Sequence, residues 1–313
     1  MTRHLRSLLD LTPAETNRVV DLAVEVKANP GAYTEALRGK SVAMIFAKQS
    51  TRTRISFEVG LHQLGAQPLS LSTSGGTGMQ MGRGETVSDT AQVLSRFVHA
   101  IVIRTFGQDQ VDGLAEHGSI PVVNALTDLY HPCQALADLL TIREHLGSTR
   151  GKKLVYVGAG NNVAHSLMLA GPRSGMDVVV TCPESLRPNA DVLARAQADG
   201  AEHGTSVSVV IDPTEAVRDA DVIYTDTWVS MGEEEEAKRL IQTLSGYTVT
   251  EQLMAATGKQ STIFMHCLPA HRGEEVAAEV MDGPRSVVFD EAENRLHAQK
   301  ALMLLLMGGA SWS

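Results

Sequence analysis

Cysteine is scarce: Cys133, Cys182 and Cys267 are the only three in 313 residues. An odd number with no short repeated spacing is not a disulfide framework, and it suits a reducing cytosol. Aromatic residues are also few, at 4%, so the core must rest on Leu, Val, Ile, Ala and Met. Positive charge is in deficit, with 27 Lys and Arg against 36 Asp and Glu, a net charge of -9. This excludes general nucleic-acid binding, which needs a basic footprint. Any anion must then be held by a local cluster of Arg and backbone donors. Long apolar runs are missing too. The longest, near residues 301–307, is far short of the roughly 20 residues a membrane helix needs. Arg3, His4 and Arg6 make the start slightly basic, but no apolar stretch follows and Asp10 and Glu15 come early. No targeting segment is therefore expected.

What is present is an alternation of apolar β-rich runs with helical patterns. At roughly 150 residues per domain the length suggests two domains. Strands are expected at 41–47, 67–71, 100–104 and 121–124, then at 153–157, 177–181, 207–211, 222–225, 262–265 and 286–289. They are continuous apolar runs, as in parallel sheets covered on both faces. The pattern predicts helices at 51–64, 85–97, 110–117, 131–145 and 291–307. The turn Gly147-Ser148-Thr149-Arg150-Gly151 marks a boundary. The fold class expected is α/β: two doubly wound parallel-sheet domains with a cleft between them, joined by a long helix and a C-terminal crossing helix. The domains would be residues 1–147 and 148–290, with the helix at about 291–308 returning to the first. In such sheets ligands bind outside the carboxyl ends of the strands.

Polar clusters fall at these strand ends. Ser50-Thr51-Arg52-Thr53-Arg54 opens a helix, with Ser50 a plausible N-cap. Backbone donors, helix dipole, hydroxyls and the Arg52 fork together suit an anion. The bland alternative is a capped surface helix with a solvated Arg. Arg104 ends a strand, His131-Pro132-Cys133-Gln134 opens a helix, and His266-Cys267-Leu268-Pro269 and Asp226 follow strands. Arg295 lies in the first turns of the last helix. Gly158-Ala159-Gly160-Asn161-Asn162 invites a dinucleotide reading. The third Gly is missing at its usual offset, and no well-placed acid follows the next strand, so no nicotinamide cofactor is expected. His131, His266 and His271 lack metal-ligand spacing, and no metal is expected.

The motifs Ser-Thr-Arg-Thr-Arg at 50–54, His-Pro-Cys-Gln at 131–134, Asp-Thr-Trp-Val-Ser-Met-Gly at 226–232 and His-Cys-Leu-Pro at 266–269 occur in that order. In this the chain resembles the ornithine carbamoyltransferase family, within the aspartate/ornithine carbamoyltransferase superfamily, over essentially its whole length. The first motif would also suit an aspartate carbamoyltransferase, whereas the last two separate the families. The resemblance implies an enzyme that joins carbamoyl phosphate to the side-chain amine of ornithine, without a cofactor, in a cytoplasmic homotrimer with shared sites, in arginine biosynthesis. By matched position, Ser50, Thr51, Arg52 and Thr53 would hold the phosphate. Arg104 and His131 would reach its phosphate or carbonyl oxygen, Gln134 the amide, and Pro132 and Cys133 belong to the same segment. Cys267 and the Leu268 carbonyl would line the carbamoyl group, Arg295 would complete the anion site, and Gln80 would reach a neighbouring subunit's site. Asn162, Asp226, Ser230 and Met231 would take ornithine. The catalytic set implied is Arg104, His131, Asp226 and Cys267.

Ala47, Gln49 and Ala159 stand where the family often has Glu, Pro and Asp. None of the three removes an implied ligand. Two further readings stay open on sequence: a carbamoyltransferase for another amine or an acylated ornithine, and a catalytically silent homologue.

Overall fold

The computed structural model describes residues 2–48, 50–72, 84–229 and 237–313. The chain divides into two compact units, Met1–Leu140 with Asn294–Ser313, and Thr141–Glu293. Both dividing points fall inside helices rather than in the Gly147 turn where the sequence analysis puts the boundary. A continuous helix carries the chain from one unit to the other in each case.

The first unit begins with α1 (Pro13–Ala28), started by a capping box. Thr12 Oγ1 accepts from the Glu15 N–H at 3.2 Å, and the Glu15 carboxylate accepts from the Thr12 N–H at 2.9 Å. Then come β1 (Ser41–Phe46), α2 (Thr51–Gln63), β2 (Gln67–Ser72), α3 (Val87–Phe97), β3 (Ala100–Arg104), α4 (Gln108–His117), β4 (Val122–Leu126) and α5 (Pro132–Leu146). The sheet is parallel with order β2-β1-β3-β4. From β1 the chain winds first to one side and then to the other, so the topological switch point lies between the carboxyl ends of β1 and β3. Every residue of β3 and β4 is buried, which explains why they are apolar apart from Arg104 and Asn124. Ala43, Ile45, Ile101 and Ile103 pack with Val111 and Leu114 of α4. The register between β3 and β4 shifts after Ile103, so that Arg104 faces Leu126 rather than Ala125. Such an irregularity re-aims the side chain beside it, here the last residue of β3.

The second unit holds β5 (Lys153–Val157), α6 (Asn162–Ser174), β6 (Asp177–Thr181), α7 (Ala190–His203), β7 (Val207–Val210), α8 (Pro213–Ala216), β8 (Val222–Thr225), α9 (Ala237–Leu244), α10 (Glu251–Ala255), β9 (Ile263–His266) and α11 (Ala278–Met281). The last helix, α12 (Val288–Met307), starts in this unit and ends in the first. The parallel order is β7-β6-β5-β8-β9, which puts the switch point between β5 and β8. Trp228, just beyond β8, is packed in the core with Val157, Ile223 and Phe264.

One expected strand does not form. At 286–289 there is only an isolated bridge between Ser286 and Phe264, and α12 begins at Val288. The Glu291 N–H already donates to the Val287 carbonyl at 2.9 Å, and Phe289 is 71% exposed. Asp290 and Glu291 in the first turn suit the helix dipole, which outweighs the β-branched Val287 and Val288.

The Gly-rich link after β5 serves close packing. A Cβ on Gly160 would lie 2.2 Å from the Pro188 nitrogen and 2.5 Å from its Cα, and the Gly160 N–H donates to the Leu186 carbonyl at 2.8 Å. Gly160→Ala should therefore cost about 1–3 kcal/mol through overpacking, a fall of roughly 2–10 °C in Tm. Gly246→Ala, whose Cβ would meet open space, should stay close to the parent in calorimetry. Equal melting of the two variants would refute the packing role.

Candidate active site

In the first unit the chain leaves β1, turns, and enters α2 with Ser50 as N-cap; its Oγ accepts from the Thr53 N–H at 3.2 Å. Thr51 and Arg52 are exposed on the first turn, while Thr53 is buried. Arg54 points away from this cluster, into an ion pair with Glu58 at 3.0 Å. The neighbouring Lys48 pairs with Asp128 and lies 4.3 Å from the Phe106 ring centroid. Gln49 lies outside the described residues.

Behind the first turn of α2 sits a buried cation. Arg295 of α12 is 3% exposed. Its Nη1 donates to Gln134 Oε1 at 2.7 Å and its Nη2 to Thr53 Oγ1 at 3.2 Å. Gln299, with its amide oxygen turned to the guanidinium, accepts from Nε at 3.2 Å and from Nη2 at 2.9 Å. The Gln134 amide nitrogen in turn donates to Asp138 Oδ1 at 2.8 Å. A buried guanidinium is tolerated when its donors are met, and here acceptors from α2, α5 and α12 take the Nε donor, both Nη2 donors and one Nη1 donor. Thr53 Oγ1 accepts from Arg295, so its own proton remains to donate elsewhere.

His131 closes this half of the site. Its carbonyl accepts from the Gln134 N–H at 3.1 Å and the Ala135 N–H at 3.3 Å, so it sits at the start of α5, with Pro132 at the first helical position. Burial holds the imidazole well below the ordinary His range, and the charges of Arg295, Arg104 and Arg52 push it further down. Arg104 is 8% exposed at the end of β3. The ring is thus a neutral hydrogen-bonding group facing three cations. Cys133 is buried, its thiol donates to the Asn124 carbonyl at 3.4 Å, and burial pushes it up to about 12. It packs as a protonated thiol.

In the second unit a buried carboxylate takes the matching place at the switch point. Asp226 follows β8 and is 8% exposed. Its Oδ1 accepts from the Thr227 N–H at 2.8 Å and from Cys267 Sγ at 2.9 Å; its Oδ2 accepts from Asn161 Nδ2 at 2.8 Å. Asn161, rather than Asn162, is the N-cap of α6. Asn162 is the first helical residue, half-buried beside it. The Tyr156 hydroxyl donates to Asn161 Oδ1 at 3.1 Å and is held well above the usual phenol range by burial and by the negative charge of Asp226.

The segment after β9 is fixed by a second set of buried groups. The Leu268 N–H donates to His266 Nδ1 at 2.8 Å, so the imidazole proton is on Nε2, which faces Glu275 Oε1 at 3.2 Å. The His266 N–H donates to Glu291 Oε2 at 2.9 Å, and Tyr224 Oη donates to Glu291 Oε1 at 2.9 Å. Leu268 has a φ of +57°, which an L-residue adopts only when its surroundings impose it. The ligand atoms of Asp226, His266 and Cys267 converge within 4.8 Å. They are turned to protein partners, Asp226 and Cys267 to each other and both ring nitrogens of His266 to Leu268 and Glu275.

Ser50, Thr53, Gln134 and Arg295 are joined by one network, with Arg52, Arg104 and His131 electrostatically coupled to it. Asp226 and Cys267 are in direct contact. Gln80, Ser230 and Met231 lie outside the described residues. Asn161, His266, Glu275 and Glu291 are absent from the sequence-based set, although Asn161 stands in the quoted Gly-Ala-Gly-Asn-Asn stretch.

Comparison with known proteins gives two family matches. Residues 3–144 match the family described as aspartate/ornithine carbamoyltransferase, carbamoyl-P binding domain, and residues 150–306 match its Asp/Orn binding domain. An ornithine carbamoyltransferase from Symbiobacterium thermophilum is 54% identical over 307 residues, covering 97% of this chain and 98% of that one. Another from Oceanobacillus iheyensis is 52% identical over 307 residues, covering 97% and 94%. The structure of ornithine carbamoyltransferase from Pyrococcus furiosus superposes with a TM-score of 0.94 at 49% identity, covering 99% of this chain and 98% of that one.

A depressed His131 carries a pH consequence. Neutral burial contributes stability in full above the unfolded His value near 6.5, and the contribution is lost as pH falls below it. By NMR the His131 ring should show no titration midpoint between about pH 6 and 8. A midpoint in that window would refute the cation-lined, buried setting.

Proposed function

The chain belongs to the aspartate/ornithine carbamoyltransferase family, and from that premise we propose how its residues divide the work of one reaction. It transfers the carbamoyl group of carbamoyl phosphate to the side-chain amine of L-ornithine, giving L-citrulline and phosphate. The observation that carries the assignment of roles is the buried Arg295 tied to both Thr53 and Gln134. It joins the start of α2 and the start of α5 into one frame for a small anionic ester.

In this reading the phosphate sits on the N-terminal turn of α2, where the first-turn N–H groups and the dipole favour an anion. The Ser50, Thr51 and Thr53 hydroxyls and the Arg52 fork complete its contacts. Neutral His131 and the Arg104 guanidinium donate to the carbonyl oxygen, where charge grows as the amine adds. Gln134 orients the carbamoyl amide; Pro132 and Cys133 hold the backbone of that segment. The residues from 3 to 144 together with Arg295 thus serve carbamoyl phosphate, Cys267 and the Leu268 carbonyl line the carbamoyl group, and Asn162, Asp226, Ser230 and Met231 take ornithine.

The amine arrives mostly as an ammonium, since its ordinary pKa is about 10.4. A carboxylate beside it favours the charged form, so Asp226 does not act by lowering that value. It holds the nitrogen in line, and it accepts a proton once carbon–nitrogen bond formation has made that proton acidic. Cys267, already bonded to Asp226, is a positioning group; no covalent intermediate is needed. Phosphate leaves onto Arg52 and the helix start.

We also propose a homotrimer with shared sites, working in the cytoplasm in arginine biosynthesis. Ile55 and Val59, one turn apart on α2, and Leu69 on the edge strand β2 are exposed apolar groups, the kind of face that self-association covers. The free thiols suit a reducing compartment. Among the described residues no helix is long and apolar enough to cross a membrane. Light scattering should give three times the chain mass of 33.6 kDa; a monomer would refute the trimer.

The function is tested by citrulline formation over a panel of ornithine, lysine, putrescine and acetylornithine. Ornithine should be preferred. Arg52→Ala should weaken carbamoyl phosphate use by about 1.5–3 kcal/mol, the value of a charge-assisted contact, and Asp226→Asn should cost more turnover than Cys267→Ser. Near-parent turnover by Asp226→Asn, or a better rate with putrescine, would overturn the reading.

A further inference from the structure

The Asp226 carboxylate has about four acceptor positions on its two oxygens. Among the described residues, Oδ1 takes two donors, the Thr227 N–H and Cys267 Sγ, whereas Oδ2 takes one, Asn161 Nδ2. Among the described residues the unfilled acceptor position is therefore on Oδ2, the oxygen that Asn161 holds.

The orientation of the Asn161 amide is forced. Its Oδ1 accepts from the Val163 N–H at 3.0 Å, the Ala164 N–H at 3.1 Å and the Tyr156 hydroxyl at 3.1 Å. All three are donors, so the amide oxygen must face them and the NH2 group must face Asp226. The first turn of α6 and the Tyr156 hydroxyl, protonated in its buried setting, thus fix the direction of a donor to the carboxylate. Either amide flip or rotation of Asn161 would break three hydrogen bonds at once.

We propose that Asn161 is a positioning residue for the transfer reaction: it locks the Asp226 carboxylate so that the free acceptor position of Oδ2 points at the reacting amine. The proposal rests on the reading of Asp226 given above. Asn161 does not touch substrate in this arrangement. It acts through Asp226, and the neighbouring Asn162 is left to contact the amino acid. The other titratable groups facing that carboxylate are the Cys267 thiol, the Tyr156 hydroxyl and the His266 imidazole, and none of them holds Oδ2.

Two substitutions separate positioning from helix capping, because Asp and Ser are as good at an N-cap as Asn. Asn161→Asp keeps the acceptor for α6 but puts a second carboxylate oxygen against Oδ2. Asn161→Ser keeps a cap and is too short to reach Asp226. Both should melt within a few degrees of the parent. Both should lose about 10- to 100-fold in kcat with ornithine, the size expected for a donor to a charged group, while KM for carbamoyl phosphate stays near the parent value. Asn161→Asp should in addition shift its pH–rate profile, since two adjoining carboxylates share a proton. Parent-like kcat in both variants while Asp226→Asn is inactive overturns the role of Asn161 alone. A kcat loss that only tracks a fall in Tm, with the pH profile unmoved, overturns it as well. High turnover by Asp226→Asn would instead overturn the underlying reading.

Discussion

A guanidinium that is almost fully buried in an acidic protein is the constraint on which the first half-site depends. Arg295 has no solvent to satisfy its donors, so acceptors must be supplied by protein, and they come from Thr53, Gln134 and Gln299. Leaving such a charge unpaired would cost about 3–5 kcal/mol. The consequence is geometric: the first turns of α2 and α5, 81 positions apart from Thr53 to Gln134, are pinned to one side chain of α12. Burial, and after it the same charge, depress His131, so the imidazole is kept as a neutral donor. An overall charge of -9 repels anions. The concentration of Arg52, Arg104 and Arg295 around this point reverses that locally.

The second half-site inverts the signs. There the buried charge is the Asp226 carboxylate, and the supporting groups are donors: a backbone N–H, a thiol and the Asn161 amide. One unit is built to receive a dianionic ester and the other a cationic amine. In the first unit Arg52 follows β1 and Arg104 ends β3, and in the second Asp226 follows β8, so these charges lie at strand ends beside each sheet's topological switch point. The chemistry follows from these charges. In the proposed reaction, negative charge leaving with phosphate is received by cations and helix N–H groups, and positive charge on the nitrogen is received by a carboxylate. Gly160, beside Asn161, is pressed against Pro188, and Leu268, beside Cys267, is held in a left-handed conformation.

Much of this was legible in the chain. β3, β5, β6 and β8 coincide with their apolar runs because both faces of each strand are covered, and the motifs at 50–54, 131–134 and 266–269 lie at strand ends. Other features were not legible, for physical reasons. Two adjacent asparagines look alike in sequence, yet only Asn161 has the extended backbone of an N-cap, and that turns its amide to Asp226. Glu275 and Glu291 carry no motif that singles them out, but folding buries both against His266. The run at 286–289 carries a strand's composition and becomes a helix start, since acids in its first turn and an exposed Phe289 fit a helix better than an internal strand. The α1 helix has no place among the expected helices, although Thr12-Pro13-Ala14-Glu15 spells its capping box.

The central claim is that the fork of Arg295, not merely its charge, organises the carbamoyl phosphate site. Arg295→Lys retains the positive charge but loses the planar set of donors that meets Thr53, Gln134 and Gln299 together. Calorimetric titration of that variant with carbamoyl phosphate tests the claim most directly. Affinity should be weaker by about tenfold or more, as for loss of a charge-assisted contact worth about 1.5–3 kcal/mol. Binding equal to that of the parent protein would contradict it.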